Sequence, residues 1–166
     1  ALHLAAKNGH IEIAKTLLNA EANPNTKNHD GSVALHWAAS MGHIETVQAL
    51  LKANANPDTR NQNRDTALSL ATGNEHIETV EALLKAKADP NIANNDGWIA
   101  LHKAAVKGNI EIVQALLQAG SYVNIIDIDG YSVLNTTIQR GNIDIAIQLN
   151  KAGADCNKKC RFIDKP

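Results

Sequence analysis

Apolar residues along the chain fall into short clusters separated by polar loops, and the clusters recur. Ala34-Leu35-His36-Trp37-Ala38-Ala39 predicts a short helix, and Gly42 offers the positive φ needed to turn after it. Ile44, Val47, Leu50 and Leu51 then sit at i, i+3, i+6 and i+7, one face of a second helix. Glu45 in its first turn and Lys52 in its last complement the helix dipole, and Asn56-Pro57-Asp58 breaks it. The pattern returns every 33 residues: Leu2, Leu35, Leu68, Leu101 and Leu134; Ile11, Ile44, Ile77, Ile110 and Ile143; Pro24, Pro57 and Pro90. A fixed period in this range signals stacked repeats. The pattern predicts an all-α solenoid of five helix–turn–helix units joined by short hairpin loops, in a single domain over 1–166. The units run about 1–28 (truncated), 29–61, 62–94, 95–127 and 128–160, with a short tail at 161–166. One unit cannot bury its apolar stripe alone, so neighbours must cover it. Because the chain opens at Ala1 inside the pattern, it is expected to be part of something larger.

Composition fits this picture. The chain is 44% hydrophobic but only 3% aromatic, so its core is built from Ala, Leu, Ile and Val. Sixteen Lys+Arg against 17 Asp+Glu give a net charge of −1. That balance excludes nucleic-acid binding driven by bulk charge and a polybasic membrane anchor. The two cysteines, Cys156 and Cys160, do not make a disulfide framework and are expected as free thiols.

Candidate chemistry is sparse. Of the seven histidines, His3, His36 and His102 share one column of the period and His10, His43 and His76 another, with His29 outside. No pair has the His-Glu-x-x-His spacing of a metalloprotease, so structural hydrogen bonding is expected and a metal is not. There is no Gly-Lys-Ser/Thr phosphate loop and no Gly-x-Ser-x-Gly. Neither catalysis nor a cofactor is expected.

The units resemble the ankyrin repeat. Leu2-His3-Leu4-Ala5-Ala6, Leu35-His36-Trp37-Ala38-Ala39 and Leu101-His102-Lys103-Ala104-Ala105 match that family's first block. Gly42-His43-Ile44-Glu45 and Gly108-Asn109-Ile110-Glu111 match its second, and Gly153-Ala154-Asp155-Cys156-Asn157 its last. Departures are informative. Val33 and Ile99 stand at the family's Thr position before His36 and His102, while Thr66 and Ser132 precede Ser69 and Asn135. Each lost Thr–His bond costs on the order of 1 kcal/mol, so a folded array less stable than an ideal set is expected. In the third unit Arg64 and Glu75 replace glycines, and Gly73 weakens a helix end, which predicts a soft joint near 61–76. In the fifth, Thr136-Thr137 in place of Ala-Ala and Asn150 in place of the second Leu predict an end cap with a polar outer face.

The resemblance implies intracellular, non-catalytic recognition of a protein partner through a concave face. That face comprises the hairpin tips and the exposed side of the first helices. Carried over by column, the tips include His29, Asp30, Ser32, Gln62, Asn63, Asp65, Asn95, Asp96, Trp98, Ile128, Asp129 and Tyr131. The first-helix positions include Trp37, Met41, Lys103, Val106, Lys107 and Arg140. An Ala and Leu core has no need of Trp37, Met41, Trp98 or Tyr131, and aromatic residues anchor interfaces. Trp98, Val106, Ile128 and Tyr131 are expected to form one patch, and Trp37 with Met41 another. Two alternatives stand beside this reading: a recruiting segment of a larger enzyme or bacterial effector, and weak nucleic-acid binding through Lys7, Lys103, Lys107 and Arg140. A monomer is expected, with stacking on another copy through the uncapped first unit as the alternative.

Overall fold

The computed structural model describes residues 1–155. Among them are ten helices and no strand, with one isolated bridge between Ile126 and Ser132. The helices form five successive pairs. The first members are α1 (Leu2–Lys7), α3 (Ala34–Ser40), α5 (Ala67–Gly73), α7 (Ala100–Lys107) and α9 (Val133–Arg140). The second members are α2 (Ile11–Asn19), α4 (Ile44–Lys52), α6 (Ile77–Lys85), α8 (Ile110–Gln118) and α10 (Ile143–Lys151). Each first helix packs on the next first helix, each second on the next second, and the two members of a pair on each other.

Small side chains allow this stacking. Ala5, Ala6, Ala38, Ala39, Ala71, Ala104 and Ala105 are buried between first helices. Leu35, Leu50, Leu68, Leu83, Leu101, Leu116 and Leu149 fill the layer between the two rows. The hairpins are also stitched together, because the amides of Gln62, Asn95 and Ile128 donate to the carbonyls of Asp30, Asn63 and Asp96 at 2.9, 3.0 and 3.0 Å.

The turn within each pair is left-handed. Gly42 has φ 72° and packs so closely on the next pair that an added Cβ would lie 2.6 Å from the His76 ring. His76 and His43 use this approach to donate from Nε2 to the carbonyls of Ser40 and Lys7, at 3.0 and 3.2 Å. Glu75 holds the same conformation at φ 62° despite its side chain. The residue facing it by register is Asn109, which caps its own helix by accepting from the Ile112 amide at 3.1 Å. Arg64 (φ 61°) and Lys87 (φ 65°) are left-handed as well. The third pair thus places three non-glycine residues where L side chains cost roughly 1–2 kcal/mol each.

Two expectations from the sequence need correction. The 33-residue register sets Ala104-Ala105 against Thr137-Ile138, one position later than Thr136-Thr137. The outer face of the fifth pair is not polar, because Ile138 and Ile143 are 64% and 73% exposed and Ile147 lies beside them. Also, Ser32 and Asp65 are buried beneath the hairpins and are not tip residues. The missing Thr–His bonds are partly replaced. The Val33 amide donates to His36 Nδ1 at 3.0 Å, and Ser132 and Asn135 form a reciprocal cap, with the Ser132 amide donating to Asn135 Oδ1 at 3.0 Å. Cys156 and Cys160 lie outside the described residues.

Candidate functional site

The first helices are only six to eight residues long, so each buries one face against its neighbours and turns a short row of side chains outward. Residues 33 apart occupy the same place on successive helices, which builds continuous columns across the stack. One outward column reads Leu4, Trp37, Leu70, Lys103 and ends at the buried Thr136, and a second, one turn on, reads Asn8, Met41, Asn74, Lys107, Arg140.

In the first column Leu4 is 65% exposed, whereas Trp37 and Leu70 are half-buried. Trp37 packs its inner edge on the core. The Lys7 ammonium lies 4.9 Å from its ring centroid, a cation–π contact reaching from the first pair to the second. Met41, one turn along α3, is exposed. Lys103 then interrupts the apolar column. Its Nζ donates to Asp65 Oδ1 at 2.7 Å with both side chains largely shielded from water. The Ser69 hydroxyl donates to the same carboxylate oxygen at 2.9 Å. Lys107 and Arg140 remain exposed at the ends of α7 and α9, and Val106 is half-buried beside them.

At the hairpins, Asp127 organises the last described tip. Its Oδ1 accepts from the Asp129 and Tyr131 amides at 3.0 and 2.8 Å, and its Oδ2 accepts from Trp98 Nε1 at 3.1 Å. Trp98 also stacks on His102, with ring centroids 6.0 Å apart. Ile128 projects beyond this frame and is 69% exposed. The Ile128 amide lies against Gly97, where a Cβ would come within 3.0 Å, so the Trp98 and Ile128 hairpins are in close register. Trp98 and Tyr131 are half-buried.

Two buried histidines are tuned by this packing. Burial pushes the His102 imidazole from 6.5 down to about 4, against the opposing pull of the Asp127 carboxylate. Its Nδ1 accepts from the Ile99 amide at 3.3 Å, while its Nε2 lies within electrostatic reach of the Tyr131 carbonyl but outside hydrogen-bonding geometry. Burial also lowers His36, whose Nε2 donates to the Asp65 carbonyl at 3.1 Å. Both imidazoles are neutral structural groups near pH 7.

A family model described as ankyrin repeats (3 copies) matches residues 2–94 and 74–160. The chain belongs to the ankyrin-repeat family. No curated protein matches the chain. Ankyrin repeats are generally protein–protein interaction modules and are typically non-catalytic, so protein partners follow at this general level. Among the described residues, no three His, Cys, Asp or Glu side chains come together to hold a metal ion. None of the described helices is long and apolar enough to cross a membrane.

The ankyrin register therefore brings Trp37 with Met41, and Trp98 with Ile128, onto the first-helix and hairpin side of the stack. The four cations of the nucleic-acid alternative are not equivalent, because Lys7 is held over Trp37 and Lys103 is held by Asp65. Sequence reasoning missed Leu4 and Leu70. The signal was present: they flank Trp37 at 33-residue spacing in a column that no helix core needs.

Proposed function

We propose that the chain is a non-catalytic protein-binding module that engages one intracellular protein through its concave face and hairpin tips. The contact surface comprises Trp37, Met41, Trp98, Val106, Ile128 and Tyr131, bordered by Lys103, Lys107 and Arg140. The observation that carries the reading is the exposure of large apolar side chains on this side of an Ala- and Leu-packed stack, with Met41 at 45% and Ile128 at 69%. Interfaces concentrate their energy in a few such anchors, and a pre-stacked solenoid loses little freedom when it binds. The same surface would serve a recruiting segment of a larger enzyme or effector equally well.

Affinity capture from cell lysate, wild type against Trp98→Ala/Tyr131→Ala, tests the reading by mass spectrometry. The reading expects a protein enriched by the wild type and depleted by the variant. Equal enrichment by both would move the interface off the Trp98 hairpin.

A further inference from the structure

The two ends of the concave face differ in chemistry, and from this difference we infer that its partner element is an acidic, amphipathic α-helix lying across the first helices. The inference rests on the concave-face reading above. Leu4, Trp37 and Leu70 occupy one column of α1, α3 and α5, and Met41 flanks it. Stacked helices sit roughly 8–10 Å apart, so the three anchors span about 20 Å. Seven residues of an α-helix advance about 10.5 Å. A helix crossing the row at right angles therefore meets successive anchors with residues i, i+7 and i+14. An extended strand advances about 3.3 Å per residue and turns alternate side chains away, so it matches this spacing poorly.

Charge fixes the other half of the match. Beyond Leu70 the column changes to Lys103, whose charge is answered internally by Asp65 at 2.7 Å. The next column ends in Lys107 and Arg140, both exposed. Among the acids on this side, Asp96 and Asp129 are exposed on the hairpin tips and Glu75 is exposed in the turn after α5. The cation at the apolar end, Lys7, is held over the Trp37 ring. A helix seated on the apolar column thus runs out over two exposed cations at the fourth and fifth pairs, where acidic residues are favoured. A basic end there would meet like charge.

The probe is a synthetic helical peptide of about 30 residues with leucines at i, i+7 and i+14 and glutamates from about i+21 to its end. Its twin carries lysines in place of those glutamates. Binding is followed by tryptophan fluorescence and calorimetry. The wild type should bind the acidic peptide roughly ten-fold or more tighter than the twin. Leu4→Glu/Met41→Glu should abolish the binding. Lys107→Glu/Arg140→Glu should remove the preference for glutamate. Both variants alter exposed positions, and circular dichroism checks that they fold. Failure of the wild type to bind either peptide, equal binding of both, or insensitivity to Leu4→Glu/Met41→Glu would overturn the inference. The lysate capture separates this failure from a wider one. A captured protein lost with Trp98→Ala/Tyr131→Ala but kept by Leu4→Glu/Met41→Glu contradicts the helix and leaves the concave face standing. One kept by both contradicts both.

Discussion

His102 shows how a repeat residue acquires an individual burden. Its column is legible in the sequence, but its environment is set by Trp98 stacking above it and by a carbonyl just out of bonding geometry. Its pKa is lowered to about 4 in the folded chain, so the unfolded chain takes up the proton first. The stability this group contributes is complete above about pH 6.5 and is lost as pH falls towards 4, by up to roughly 3 kcal/mol. Thermal melts across this range should show a steeper decline for wild type than for His102→Gln, and parallel curves would refute the assignment. Glu75 makes a second prediction. Its left-handed backbone favours glycine, so Glu75→Gly should stabilise the chain by about 1 kcal/mol in urea unfolding. The strain was readable from the missing glycine. The facing Asn109, which turns away to cap α8, was not, because nothing local marks which of its two hydrogen-bonding choices wins.

The third helix pair, α5 with α6, concentrates opposing effects. Three left-handed non-glycine residues and the buried, unpartnered hydroxyl of Thr72 weaken it. The Asp65–Lys103 pair and the Ser69 bond tie it to its own hairpin and to α7. Hydrogen exchange should therefore find α5 opening before α3 and α7, and equal protection across the three would dismiss the soft joint. Lys103→Ala should cost roughly 1.5–3 kcal/mol by leaving a shielded carboxylate without its cation, measured by denaturant unfolding. A purely surface lysine would cost nearly nothing. The helices themselves were legible, since Leu, Ile and Gly recur at fixed spacing. The fate of Lys103 was not, because its partner lies 38 residues earlier, in a hairpin whose acid looks like a solvent-facing tip.

Across the whole molecule, stacking converts a linear period into two long faces with different chemistry. The second helices carry residues such as Gln48, Glu81 and Gln114 outward, whereas the first helices carry Leu4, Trp37, Leu70 and Met41. The period made the solenoid plain, but the apolar column was harder to see. Six- to eight-residue helices are too short to show an amphipathic rhythm, and the column changes from leucine to lysine midway. The ends of the stack are apolar too: Ile13 is 53% exposed at one, and Ile138, Ile143 and Ile147 are open at the other. An isoleucine at 138, where earlier pairs have Ala6, Ala39, Thr72 and Ala105, does not permit the same close helix contact. The proposed binding surface lies on the first-helix and hairpin side. Its most direct test compares lysate capture by wild type, Trp98→Ala/Tyr131→Ala and the second-helix control Gln48→Lys/Gln114→Lys. A partner lost only with the Trp98 and Tyr131 substitutions is the expected result. A partner lost only with the Gln48 and Gln114 substitutions would place recognition on the opposite face and contradict the proposal.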